Sequence, residues 1–218
     1  MIIGVCGLIG SGKGTVADIL VNTHKFTKIS FADKLKDGVA SIYGWNREML
    51  EGATKESREW REQEDSFWTK ELGRSITPRN VLQVFGTECM REGFDDSIWV
   101  ALVKQELQKD PLKKWVIPDV RFPNELKMIQ QLNGKMWEVS LGDNPNWYSI
   151  AEKDNKSQWK SSPNSVVTHV MEDSYPDIHA SEYKWIGWDF DATIQNDGIH
   201  LQLLTRQVVD LLEPIQSY

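Results

Sequence analysis

Short apolar runs alternate with stretches of helical spacing along most of the chain, an order that predicts an α/β protein built on a parallel sheet. Ile2-Ile3-Gly4-Val5-Cys6 reads as a buried strand closed by Gly7. A helix is predicted over 13–21, with Val16, Ile19 and Leu20 on one face. A second strand is predicted over 26–31 and helical spacing over 32–42. Thr77-Pro78 is a helix start, an N-cap residue followed by proline at the first helical position. On that helix Val81, Phe85 and Cys89 share one face, and Arg79, Gln83, Thr87 and Arg91 step four apart along another. The next helix opens at Asp95-Asp96-Ser97 and carries Trp99, Leu102, Val103 and Leu107 at helical spacing. Three further strands are predicted: Trp115-Val116-Ile117-Pro118, 135–141 and 191–195. Between them a helix over 125–132 stops near Asn133-Gly134, and Leu201, Leu204, Val208 and Leu211 mark a terminal helix.

Two stretches break this rhythm. Residues 45–74 hold eight acidic and six basic side chains with scattered aromatics, which predicts a solvated helical insertion spanning 45–76. Residues 142–183 are polar, contain Pro145, Pro163 and Pro176, and show no clear period. That length exceeds a plain connection, so the stretch is read as a lid-like segment of a single domain, 1–218.

Composition narrows the function. With 40% apolar and 26% charged residues the chain is globular, and its net charge of −7 argues against wrapping duplex DNA, which rests on neutralising phosphates. No apolar run reaches the ~18–20 residues that span a bilayer. The apolar start lacks basic residues, so no signal peptide is read there. Cys6 and Cys89 each sit in an apolar pattern, which predicts free thiols and a cytoplasmic location. Ten tryptophans suit a core, the cover of an insertion, a pocket for a flat ring, or an interface; a homodimer stays open.

The chemistry concentrates in Gly7-Leu8-Ile9-Gly10-Ser11-Gly12-Lys13-Gly14-Thr15, placed between the first strand and first helix as a P-loop requires. Gly10, Ser11, Gly12 and Gly14 let backbone N–H groups turn inward around phosphates, and the helix start adds partial positive charge. Lys13 is placed to reach the β- and γ-phosphates. Gly14 stands where serine or threonine is usual, so a metal-binding hydroxyl comes from Thr15, directly or through water, or from elsewhere. Arg79, Gln83, Thr87 and Arg91 present two guanidiniums, an amide and a hydroxyl, suited to a phosphate and a base edge; a solvated helix face is the competing reading. Gly86 inside that helix points to close approach by another group. Asp119 and Arg121, just past the third strand, lie where α/β ligands collect, or simply pair to fix their loop. The four histidines show no metal-ligand spacing.

These segments, with Phe31-Ala32-Asp33-Lys34-Leu35-Lys36, Leu82-Gln83, Gly86-Thr87-Glu88, Asp119-Val120-Arg121-Phe122, Asn124-Glu125, His179-Ala180-Ser181-Glu182 and Ile194-Gln195-Asn196-Asp197-Gly198, make the chain resemble the bacteriophage deoxynucleoside monophosphate kinases. The resemblance implies a three-layer P-loop kinase fold with a five-stranded parallel sheet. It also implies transfer of the ATP γ-phosphoryl group to deoxynucleoside 5′-monophosphates with Mg²⁺, in the host cytoplasm, supplying DNA synthesis. Lys36, Arg79, Thr87, Trp99, Asp119, Arg121 and Glu125 are then expected to line the acceptor site, with Lys55 or Arg58 in reach. Asn196 and Gly198 are expected near the ATP adenine. Segment 142–183 departs from such kinases in having no arginine. Two other readings compete: a kinase for an unphosphorylated nucleoside or a modified base in DNA, and an ATP-switched binding module.

Overall fold

The computed structural model describes residues 1–160 and 170–216. The first elements in chain order are β1 (Ile2–Cys6), α1 (Lys13–His24) and β2 (Thr27–Lys28). Then come α2 (Asp33–Tyr43), α3 (Arg47–Glu51), α4 (Lys55–Glu62), α5 (Ser66–Leu72), α6 (Pro78–Val84), a π-helical segment (Phe85–Glu92) and α7 (Ile98–Lys109). β3 (Trp115–Ile117), α8 (Pro123–Gln131), β4 (Lys135–Leu141), α9 (Tyr148–Lys160), α10 (Val170–Ser174), α11 (Ala180–Tyr183), β5 (Ala192–Asn196) and α12 (Leu201–Gln216) complete them. The chain divides into two compact units, Met1–Ser30 with Lys109–Tyr218, and Phe31–Gln108. No helix among the described residues is long and apolar enough to cross a membrane.

The first unit holds a sheet of five parallel strands among the described residues, ordered β2-β3-β1-β4-β5. Alternation sorts its side chains. Ile3, Val5, Trp137, Val139 and Ile194 face the helix layer of α1 and α12, packing on Val16, Leu20, Leu204, Val208 and Leu212. Burying each such aliphatic side chain contributes roughly 1.5–3 kcal/mol. Gly4 faces the other way, where a Cβ would come within 2.6 Å of Ile129 of α8. The result is the three-layer α/β arrangement expected of a P-loop kinase. β2 and β3 lie on one side of β1, and β4 and β5 on the other. The strand order therefore reverses there, and the carboxyl ends of β1 and β3 lie at the switch point where such folds bind ligands. The second predicted strand shrinks to Thr27–Lys28, because only this pair finds ladder partners on β3.

The second unit is helical. Its short helices are bounded by local chemistry: Asn46, Thr54, Asp65 and Thr77 accept first-turn backbone N–H groups, and Gly44, Gly52 and Gly73 stop α2, α3 and α5. Tyr43 stacks on Trp45 at 4.5 Å, Trp60 and Trp68 complete the cluster, and the Trp45 indole donates to Asp65. Three of the tryptophans thus cover this unit, whereas Trp99, Trp115, Trp137 and Trp185 are buried.

Two expectations need correction. The helix from Pro78 widens into i→i+5 bonding at Phe85, which shifts the phase of residues four apart. Cys89 therefore emerges exposed instead of joining Val81 in the core. Segment 142–183 is not aperiodic, since its described part forms α9, α10 and α11. Helix α9 escaped the pattern because its inward face carries Ala151, Asp154 and Asn155, two of them polar. Pro163 and His169 lie outside the described residues.

Candidate active site

The loop after β1 is shaped by contacts only glycine permits. Gly7 has φ 149°, and a Cβ there would sit 2.3 Å from the Val139 carbonyl oxygen. Gly12, at φ 104°, would press a Cβ to 2.4 Å from Asn196 Nδ2. Asn196 itself donates to the Ser11 carbonyl at 2.8 Å, so the end of β5 braces the loop. Helix α1 starts with no side-chain cap, leaving its first-turn N–H groups for another acceptor. Ser11 is 2% exposed, and its hydroxyl has no partner among the described residues. Lys13 folds back to donate to the carbonyls of Gly7 and Leu8, both at 2.7 Å. Burial first and the neighbouring Arg121 second pull its pKa down to about 8, against the opposing pull of Glu182, Cys6 and Asp119. Uncapped N–H groups and a desolvated ammonium next to a guanidinium make a site suited to an anion.

The turn after β3 supplies the rest of the first unit's polar groups. Ser30 donates to Asp119 at 2.5 Å. Glu125, 2% exposed, accepts the backbone N–H groups of Arg121 (2.7 Å) and Phe122 (3.1 Å), which closes the start of α8. Its carboxylate thus shapes the turn that carries Arg121. Arg121 Nη1 donates to the Ser181 carbonyl and to Glu182 Oε1, each at 3.1 Å. Cys6 lies beneath, donating to the Val120 carbonyl, with burial pushing its thiol well up and Glu125 adding to the effect. Past β5, Asp197 accepts the backbone N–H groups of His200 and Ile199, which with the His200 ring hold its carboxyl well below the usual range. Gly198, at φ 73°, makes the turn.

The remaining candidates lie on the second unit. Lys36 is 8% exposed and pairs with Glu51 at 3.0 Å, beside Arg47, which holds the same carboxylate. Arg79 pairs with Glu62 at 3.0 Å. Gln83 and Thr87 are half-buried. Arg91, 6% exposed, donates to the carbonyl and carboxylate of Asp96. Gly86 is where close approach was expected: a Cβ would meet Leu35 at 2.9 Å, and the buried Trp99 donates to its carbonyl at 2.9 Å. Trp99 thus holds the π-helical segment in place. Lys55 is exposed and pairs with Glu59; Arg58 is exposed and donates to the Gly52 and Ala53 carbonyls. Among the described residues no three His, Cys, Asp or Glu side chains cluster as a metal cage. A magnesium ion carried with nucleotide phosphates and water needs none, and Thr15, exposed on the first turn of α1, and Asp119 fit that modest demand. Sequence reasoning gave no role to Ser30, Ser181 or Glu182; the run His179-Ala180-Ser181-Glu182 was the available signal for the last two.

No protein-family model matches the chain. A protein of Acanthamoeba polyphaga mimivirus named deoxynucleotide monophosphate kinase is 32% identical over 151 residues, covering 64% of this chain and 73% of that protein. The chain belongs to the deoxynucleotide monophosphate kinase family. It is accordingly an enzyme, and the resemblance read from its motifs is correct. A second member of this kinase family, the deoxynucleoside-5′-monophosphate kinase of Escherichia phage T5, is 41% identical over 58 residues, 27% of this chain and 23% of that protein. Among solved structures, a dephospho-CoA kinase from Campylobacter jejuni aligns with TM-score 0.48 and 17% identity, over 99% of this chain and 97% of that one.

Proposed function

We propose that this kinase transfers the γ-phosphoryl group of ATP to the 5′-phosphate of a deoxynucleoside monophosphate, releasing ADP and a deoxynucleoside diphosphate for DNA synthesis. The observation that carries the reading is the loop of residues 7–15, where an uncapped helix start, a buried unpartnered Ser11 hydroxyl and a desolvated Lys13 meet beside Arg121. A phosphate oxygen of the acceptor attacks the γ-phosphorus while the bond to the β,γ-bridging oxygen breaks, and ADP keeps that electron pair. The attacking oxygen is already ionised near neutral pH, so no general base is required. Positioning and positive charge carry the catalysis instead.

Lys13 and Arg121 offset charge on the transferring group, and the loop N–H groups cradle the donor phosphates. Arg79, Gln83, Thr87 and Lys36 of the second unit are the residues we assign to the acceptor, Arg79 for its phosphate. Thr15 and Asp119 would hold Mg²⁺, directly or through water, and the ion would screen the donor phosphates when bound. Asn196 and Gly198 flank the donor side through the brace on Ser11.

A panel of ADP release with every deoxynucleoside monophosphate, its ribo counterpart, free nucleosides and modified pyrimidine forms tests the proposal. Stimulation by at least one deoxynucleoside monophosphate is expected. Activity on nucleosides but not on monophosphates would favour the unphosphorylated-acceptor kinase, and slow hydrolysis untouched by any acceptor would favour the switched module.

A further inference from the structure

Arg121 is held by one end only. Its Nη1 donates to both the Ser181 carbonyl and Glu182 Oε1 at 3.1 Å, and no other atom of the guanidinium is engaged among the described residues. A guanidinium has five N–H donors, so the Nε and Nη2 edge keeps three, in the geometry that grips a phosphate with two parallel bonds. The holding side is itself anchored. Trp185 donates to the Glu182 carbonyl at 3.0 Å, and Ser181 N donates to His179 Nδ1 at 3.2 Å. Asn155 of α9, 1% exposed, donates to the carbonyls of Tyr183 and Ile186. Glu182 is therefore a fixed carboxylate on a fixed short helix, 61 residues along the chain from the arginine it holds.

We infer that Glu182 is a positioning residue for phosphoryl transfer: with the Ser181 carbonyl it turns the free edge of the Arg121 guanidinium toward the phosphate handled by Lys13. An arginine left to sample its rotamers would arrive at the transferring group only part of the time, and the lost precision falls on kcat. Glu182 touches no substrate in this scheme; it acts wholly through Arg121. The inference rests on the kinase reading above and deepens it.

The experiment is a double-mutant cycle on the full chain, with Arg121→Ala, Glu182→Ala, Glu182→Gln and the Arg121→Ala/Glu182→Ala pair. The readouts are kcat and KM for the preferred deoxynucleoside monophosphate at saturating ATP, ATP affinity by calorimetry, and thermal unfolding. Glu182→Ala should lower kcat by ~10-fold with ATP affinity within about 2-fold of wild type. Glu182→Gln, whose amide oxygen still accepts from Nη1, should recover most of that loss. The double variant should be no slower than Arg121→Ala alone. If Glu182→Ala fails to fold, Glu182→Gln and Glu182→Asp carry the test, the aspartate losing activity only in the Arg121 background. A loss that multiplies onto Arg121→Ala, or a glutamine no better than alanine, overturns the positioning role while the kinase reading stands. Full activity in Arg121→Ala also overturns the positioning role, whereas absence of transfer to any deoxynucleoside monophosphate by the unaltered chain overturns the kinase reading.

Discussion

Asn196 donates its side-chain amide to the Ser11 carbonyl at 2.8 Å, across 185 residues of chain, and so ties the last strand to the glycine loop. The same nitrogen lies where a side chain on Gly12 would have to go. Asn196→Ala forfeits that hydrogen bond and the one its Oδ1 accepts from Gly198 N at 3.0 Å, about 1 kcal/mol each, and leaves the loop less ordered before nucleotide arrives. We expect about 5-fold weaker ATP binding by calorimetry, with the acceptor KM unchanged. An unaltered ATP affinity would show that the loop holds its shape without the brace.

Lys13 links the site to pH. Its pKa of about 8 in the folded chain lies below the ordinary 10.5, with burial the largest cause. Between those values the unfolded chain holds a proton that the folded chain lacks, so this group's contribution to stability rises with pH through that window and is a cost below it. Lys13→Met should therefore unfold at or above the wild-type temperature at pH 7, while phosphoryl transfer is lost. Binding of the ATP phosphates should restore the ammonium. At pH 8.5, calorimetry in two buffers of different ionisation enthalpy should show uptake of a substantial fraction of one proton, absent in Lys13→Met. Equal heats in both buffers would contradict this assignment.

Arg79 separates donor from acceptor. Its ion pair with Glu62 is partly exposed, with the carboxylate 58% accessible, so its loss should change stability by no more than ~1 kcal/mol. A charge-assisted bond to an acceptor phosphate is worth roughly 1.5–3 kcal/mol, so Arg79→Ala should lose ~10- to 100-fold in acceptor kcat/KM. ATP affinity should stay as it was. Full activity on every monophosphate would move the acceptor phosphate elsewhere.

Gly14 has room. A Cβ there meets nothing within 4 Å, and it lies in α1, where glycine costs stability relative to serine. Gly14→Ser should gain up to about 0.5 kcal/mol in thermal unfolding and keep phosphoryl transfer, with a lower magnesium requirement from the added hydroxyl. Collapse of activity in a folded variant would mean that the donor phosphates come too close for any side chain.

The elements that signal locally were legible. Strand β1, the glycine loop and α1 announce themselves by an apolar run, a glycine spacing and a following helical period, and Thr77-Pro78 marks the start of α6. What resisted was set by distant contacts. Nothing near Phe85 foretells that the helix will widen there, since Gly86 is fixed by Leu35 and Trp99. Helix α9 hides because Asp154 and Asn155 face inward to serve the backbone of other segments. The candidate site followed the same division: Lys13 was evident from its loop, whereas the partners of Arg121 lie 60 and 61 residues away.

The two thiols of this chain keep different time. Cys89 stands exposed on the π-helical segment of the second unit, while Cys6, one residue before the glycine loop, is wholly enclosed and held in its protonated, unreactive form. A thiol reagent therefore reaches Cys89 without any opening of the fold and reaches Cys6 only when the sheet parts around β1. The slower of the two modification rates is a built-in clock for the opening of the first unit, and any nucleotide that seats against the loop should slow it.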